Sequence, residues 1–208
     1  AFNARLLAEE TPDDDEIVLS SGKSYSNVFH ANGGSASFSV MANTLRGVYG
    51  TDVLLATANS FTGSVLQADY NKKMAASMIM PNGLMSRQRT MTGAELKETV
   101  RAFVEGCEGG FVPFNRGSLP VASGIALNVQ ENSGRYTLTG ITRNGQPLRD
   151  DDTVTVTCLA TASQMAPLLS GENGAFPCLD TPVKQAWREA LSGGGVVLAE
   201  PEHYMTLR

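Results

Sequence analysis

The chain has 208 residues, 42% hydrophobic and 18% charged, with a formal net charge of −5. That suits one large globular domain, or two small ones, with a real apolar core. The negative balance disfavours generic binding to nucleic acid or an anionic membrane, and no apolar run approaches the roughly 18 residues of a membrane span.

In chain order, residues 1–35 read as a loosely organised N-terminal segment and linker, and residues 36–208 as the domain proper. Because it starts at Ala1 rather than Met, the chain is expected to be a processed form or a piece of a longer one. Thr11-Pro12-Asp13-Asp14-Asp15-Glu16 is a solvated acidic turn, since the glycine and distal glutamate of a calcium loop are missing. Ile17-Val18-Leu19 suits a short strand. Phe38, Met41, Leu45 and Val48 then share one helical face, and Gly50 ends that helix. Thr51 to Ala58 is a buried strand leading into a polar loop, Asn59 to Ser64. A second helix is expected over Ala68 to Met80, closed by Pro81.

Leu84 to Met91 is a short strand, and Thr92-Gly93-Ala94-Glu95 is a capping box opening a helix that buries Leu96, Val100, Phe103 and Val104. A Gly/Pro-rich loop, 106–120, carries Phe111 and Phe114. Strands follow at Val121–Gln130 and Arg135–Arg143, then an Asn144-Gly145 turn and an alternating strand, Thr153–Thr157. Residues 160–180 look irregular around Gly171-Glu172-Asn173-Gly174. Thr181-Pro182 is expected to cap a last helix with Val183, Trp187, Ala190 and Leu191 inward, and Val196-Val197-Leu198 to be a final strand. The pattern is α+β, with a mixed sheet and flanking helices.

The search for catalytic chemistry is negative. Zinc or two-metal catalysis needs clustered ligands, whereas the two histidines, His30 and His203, are far apart in sequence. There is no G-x-S-x-G elbow, P-loop or G-x-G-x-x-G. Asp150-Asp151-Asp152 reads as a solvated bend, and Arg87 with Arg89 as an exposed strand face or an anion contact. The three cysteines, Cys107, Cys158 and Cys178, are too widely spaced for a disulfide framework or zinc ribbon. Buried or incidental thiols are the plain reading, with one bridge plus a free thiol as the alternative. Polar or aromatic loops near strand ends remain as binding candidates: Asn59–Ser64, Pro81–Leu84, Gly109–Gly117 and Gly171–Phe176.

The order of motifs resembles the C-terminal domain of the 5′-nucleotidase and UDP-sugar hydrolase family. Thr51-Asp52-Val53-Leu54-Leu55-Ala56-Thr57-Ala58-Asn59 is similar to its strand ending at an Asn-Gly-Gly loop. Pro81-Asn82-Gly83-Leu84 sits where the family has Pro-Phe-Gly-Asn, and Thr92-Gly93-Ala94-Glu95-Leu96-Lys97 matches its Thr-Gly-x-x-Leu-Lys helix start. Leu119 to Gly124 resembles its segment ending in Ser-Gly. Asn144-Gly145-Gln146-Pro147-Leu148 with Asp151 to Val156 resembles its Asn-Gly-x-Pro-Leu and Asp-x-x-Tyr-x-Val.

The resemblance implies a substrate-recognition domain that holds the nucleoside part of a substrate between two Phe rings. In such proteins an N-terminal metallophosphoesterase domain of the same polypeptide, carrying divalent metals, cleaves the phosphate ester. It implies a nucleotide-like small-molecule partner, no cofactor in this chain, no catalysis by this part alone, hydrolase activity for the whole, and a periplasmic, cell-surface or extracellular location. The candidate binding residues are Asn59, Phe61, Asn82, Phe111, Phe114, Glu172 and Asn173. Asn82 departs from the pattern: it stands where the first stacking Phe is expected, and an amide cannot supply the ~1–3 kcal/mol of base stacking. Phe61, Phe111, Phe114 and Phe176 are the candidate replacement rings. The alternative is a non-catalytic structural or interaction domain that has lost nucleotide binding.

Overall fold

The computed structural model describes residues 15–80, 83–105, 120–160 and 181–208. Strand β1 (Ile17–Ser21) precedes a short β2 (Phe29–His30) and β3 (Gly34–Ser35). The Ser35 hydroxyl accepts the Phe38 amide and so caps α1 (Ala36–Tyr49), which ends at Gly50. Every residue from Ser37 to Leu45 is buried, on both sides of the helix. One side is the apolar face anticipated from Phe38, Met41 and Leu45. The other carries Ser39, Asn43 and Thr44, whose side chains bond the backbone of Glu202, Glu200 and Ala199 respectively. Those bonds accompany a difference from expectation: Val196-Val197-Leu198 is not a strand, and residues 199–202 after it run alongside α1. The strand comes later, at Met205–Leu207.

Two principal sheets form the rest of the body. The first joins β4 (Val53–Thr57), β6 (Met85–Thr92), β7 (Pro120–Ser123), β11 (Thr153–Ala160) and β12 (Thr181–Pro182) in the order β12-β6-β11-β4-β7. The second joins β8 (Ala126–Asn132), β9 (Arg135–Arg143), β10 (Gln146–Pro147) and β13 (Met205–Leu207) in the order β10-β9-β8-β13. The expected single strand Val121–Gln130 is thus two strands in different sheets, parted at Gly124. There φ is +80°, and a Cβ would lie 2.1 Å from the Asp52 carbonyl oxygen. Both sheets contain parallel and antiparallel pairs, and with the packed helices the fold is α+β.

Within residues 1–35, expected as an N-terminal segment and linker, the short strand anticipated at Ile17–Leu19 is present as β1, and residues 17–35 pack on the rest of the chain. β1 pairs with β5 (Ala68–Asn71), Leu19 enters the core, and the Ser35 amide bonds the Tyr204 hydroxyl at 3.0 Å. The same pairing overturns the expected helix over Ala68–Met80. Residues 68–71 are taken by β1, Asn71 caps at the Met74 amide, and only α2 (Lys72–Ala76) is helical. The capping box is present as read: the Thr92 amide donates to Glu95 at 2.8 Å and the Glu95 amide to the Thr92 hydroxyl at 3.2 Å. It opens α3 (Gly93–Glu105), which buries Leu96, Val100 and Val104, while Phe103 is only half-buried. Pro182, not Thr181, is the cap of α4 (Val183–Ser192), whose Val183, Trp187 and Leu191 are buried.

Candidate functional site

The register of the five-stranded sheet decides where the candidate loops emerge. β11 runs parallel to β4, with Cys158 opposite Leu55. β6 is antiparallel to β11, with Met85 opposite Ala160, and β7 is antiparallel to β4, with Pro120 opposite Thr57. Pro182 of β12 lies opposite Met85. Thr57, Met85, Pro120, Ala160 and Pro182 therefore stand at one end of the sheet. The connections after β4 and β11, and those before β6 and β7, attach at that end, and β12, antiparallel to β6, runs toward it into the following helix. In open sheets the carboxyl ends of parallel strands are the usual place for a ligand.

Hydrogen bonds draw these connections together. The Met80 amide donates to the Ser60 carbonyl at 2.9 Å and the Thr62 amide to the Met78 carbonyl at 3.0 Å. The Val183 amide bonds the Leu84 carbonyl at 3.0 Å, tying the start of α4 to the start of β6. Residues 78–80 thus lie beside 60–62, a neighbourhood hidden when 68–80 is read as one helix. The signal available in sequence was Asn71, a helix-capping residue type in mid-segment.

Asn59 is exposed in the turn Ala58–Ser60, beyond the end of β4. Phe61 is only 5% exposed and packs against Phe38, ring centroids 6.1 Å apart. It is a core ring, which corrects its nomination as an open stacking surface. Asn82, Phe111, Phe114, Glu172 and Asn173 lie outside the described residues, as do Phe176, Cys107 and Cys178. The groups described at this end include Asn59, Thr62, and Met80 at 46% exposure. Such groups hydrogen-bond and pack, but do not transfer protons at neutral pH. Cys158 is buried, and burial pushes its thiol up to about 12, the condition of an inert thiol.

Among the described residues no group of three His, Cys, Asp or Glu is placed to hold a metal. The acidic bend is engaged in ion pairs, Asp150 with Lys97 at 2.7 Å and Asp152 with Arg149 at 2.9 Å. Arg89 is bound to Glu95 at 2.8 Å, so its charge serves the start of α3. These residues do not fit the divalent metals that the resemblance assigns to another domain.

The opposite end of the sheet holds a polar knot. Asp52 accepts from Arg143 Nη2 at 2.6 Å with Oδ1, and from the Thr155 amide and hydroxyl, each at 2.8 Å, with Oδ2. The Thr155 amide foremost, then its hydroxyl and the Arg143 guanidinium, hold this carboxyl below the usual carboxylate range, against the opposing effect of burial. A lowered folded-state pKa gives stability that is complete above the unfolded value of about 3.9 and fades as pH falls through the folded value. The stability gap between the wild type and Asp52→Asn, measured by urea unfolding, should be constant near neutrality and shrink below about pH 4. A gap that does not change with pH would show that the carboxylate is not preferentially stabilised in the fold.

Neither a family model nor a curated relative matches the chain. Solved structures do. The chain superposes on a 5′-nucleotidase precursor of Thermus thermophilus with a TM-score of 0.69 at 12% identity, covering 99% of this chain and 41% of that one. It superposes on the NAD nucleotidase of Haemophilus influenzae with a TM-score of 0.69 at 16% identity, covering 99% and 40%. A sulfate thiohydrolase of Thermus thermophilus gives a TM-score of 0.67 at 14% identity, covering 99% and 38%. The chain spans only 38% to 41% of the length of these three structures. At such identities the fold alone is shared, and that fold is the one found in the C-terminal domain of the 5′-nucleotidase family.

Proposed function

We propose that the chain is the substrate-recognition part of a 5′-nucleotidase-like hydrolase acting on phosphate esters of nucleotides or related compounds. In this reading a metallophosphoesterase domain elsewhere in the same polypeptide supplies the metals and the bond cleavage, and the whole works in a periplasmic, cell-surface or extracellular setting. The observation that supports it is the sheet register, which puts the strand ends flanking the nominated loops, Thr57, Met85, Pro120 and Ala160, at one end of the five-stranded sheet. The amide and hydroxyl groups described there suit the neutral part of a substrate rather than its reacting phosphate. The solved neighbours include two named as acting on nucleotides and one named as a sulfate thiohydrolase. The fold therefore leaves the substrate to the loops.

The test is thermal unfolding with nucleosides, nucleotides and nucleotide sugars. A ligand held at a hundred times its dissociation constant stabilises by about 2.7 kcal/mol, so at least one class should raise the midpoint by several degrees. No shift with any class would sink recognition and favour the second reading, a structural or interaction domain without nucleotide binding. The observation that favours this second reading is Phe61, whose ring is committed to the core against Phe38.

A further inference from the structure

A groove of about 460 Å³ opens at the other end of the five-stranded sheet, where Gly124 passes the chain to the four-stranded one. Two guanidiniums stand on it from different elements, Arg46 from α1 and Arg143 from β9. They are not equally satisfied. Arg143 is matched by Asp52 at 2.6 Å. Arg46 is anchored through Nε, which donates to the Ser123 hydroxyl at 2.7 Å and so fixes the plane of the group. Its terminal nitrogens reach only the Asp52 carbonyl at 3.5 Å and Glu202 Oε1 at 3.4 Å, the far limit of hydrogen bonding. The Glu202 side chain is 49% exposed, so this is a weak surface pair.

The Asp52 carboxylate is engaged with other donors, and Arg46 reaches the Asp52 carbonyl instead. Both carboxylate oxygens are occupied, by Arg143 and by Thr155. Arg46 thus presents an oriented, nearly free pair of donors to a groove whose walls add Asn144 at the β9–β10 turn and His203. A guanidinium edge of this kind matches a planar carboxylate or a phosphate face bidentately. We propose that this groove binds a small oxyanion, a carboxylate- or phosphate-bearing molecule, on the terminal nitrogens of Arg46, with the Glu202 side chain giving way. The backbone of Glu202 stays in place, because its amide and carbonyl are both bonded to the Ser39 hydroxyl. The site lies at the opposite end of the sheet from the recognition loops and does not depend on the nucleotide reading.

The experiment is an amide chemical-shift titration of the isotope-labelled chain with inorganic phosphate and, separately, with succinate. Saturable shifts are expected at Gly124, Ala126 and Gly145. Glu202→Gln removes the competing carboxylate and should tighten binding by about fivefold, the worth of a surface ion pair. Arg46→Gln should weaken it by at least about tenfold, with a thermal melt as a check on folding because Arg46 also holds Ser123. A response to phosphate alone assigns the phosphate class, one to succinate alone the carboxylate class, and a response to both supports the shared chemistry. Unsaturable shifts with both anions, shifts at the recognition end only, or unchanged affinity in Glu202→Gln each overturn the proposal. None of these outcomes bears on stabilisation by an uncharged nucleoside.

Discussion

Gly124→Ala is expected to destabilise the chain by about 3–5 kcal/mol, close to the whole stability of many domains. Two costs combine. A φ of +80° charges an L-residue about 1–2 kcal/mol. The added methyl carbon also falls 2.1 Å from the Asp52 carbonyl oxygen, and backbone cannot swing aside as a side chain can. The strain lands between β7 and β8, where one sheet hands the chain to the other. Gly145→Ala is the control. Its φ is +75°, but nothing lies within 4 Å of its Cβ, so only the conformational cost of about 1 kcal/mol applies. Urea unfolding of the two variants separates space from strain. Equal losses in both would show that the joint yields to the methyl group.

Trp187→Ala should cost about 3–5 kcal/mol, the usual range for emptying a buried aromatic site. Trp187 is fully buried on α4, and its indole Nε1 donates to the Ala75 carbonyl on α2 at 2.8 Å. Trp187→Phe keeps most of the ring volume but loses that bond, and should cost nearer the ~1 kcal/mol of a single hydrogen bond plus a smaller packing loss. The measurement is again urea unfolding. α4 follows β12, and α2 leads into residues 78–80, so both are roots of the recognition end. Hydrogen exchange at the Met80 and Thr62 amides should therefore accelerate more than at the distant Leu207 amide. Uniform acceleration would place Trp187 in the global core with no particular bearing on that end.

Where local chemistry decides, the sequence was a good guide. Thr92 and Glu95 satisfy each other within four residues, and Asn144-Gly145 turns with both φ values positive, so those elements were legible. Long-range bonds were not. Residues 68–71 have acceptable helical periodicity but are claimed by β1, some fifty residues earlier. Val196-Val197-Leu198 looks like a strand, yet the adjoining backbone of residues 199–202 is fixed by Ser39, Asn43 and Thr44 of α1. The break at Gly124 depends on a carbonyl at Asp52, over seventy positions away. In the site, the positions of strand ends could be anticipated, but not that Phe61 would turn inward, since a ring in a polar loop reads as exposed.

Strand β13 and the residues leading to it have a bearing on how the molecule is made. Met205–Leu207 lie parallel to β8 on one side, and their backbone bonds Ala31 and Gly33 on the other. Tyr204 meets Ser35 across 169 positions of sequence. During synthesis everything these residues hold has left the ribosome before they do. Until then β8 keeps an open edge and the polar side of α1 has no partners, so a nascent chain stalled before Ala199 should be captured by chaperones or by pairing with another chain. Residues 199–207 therefore complete this fold, closing the edge of β8 and the polar side of α1 with contacts that span nearly the whole described sequence.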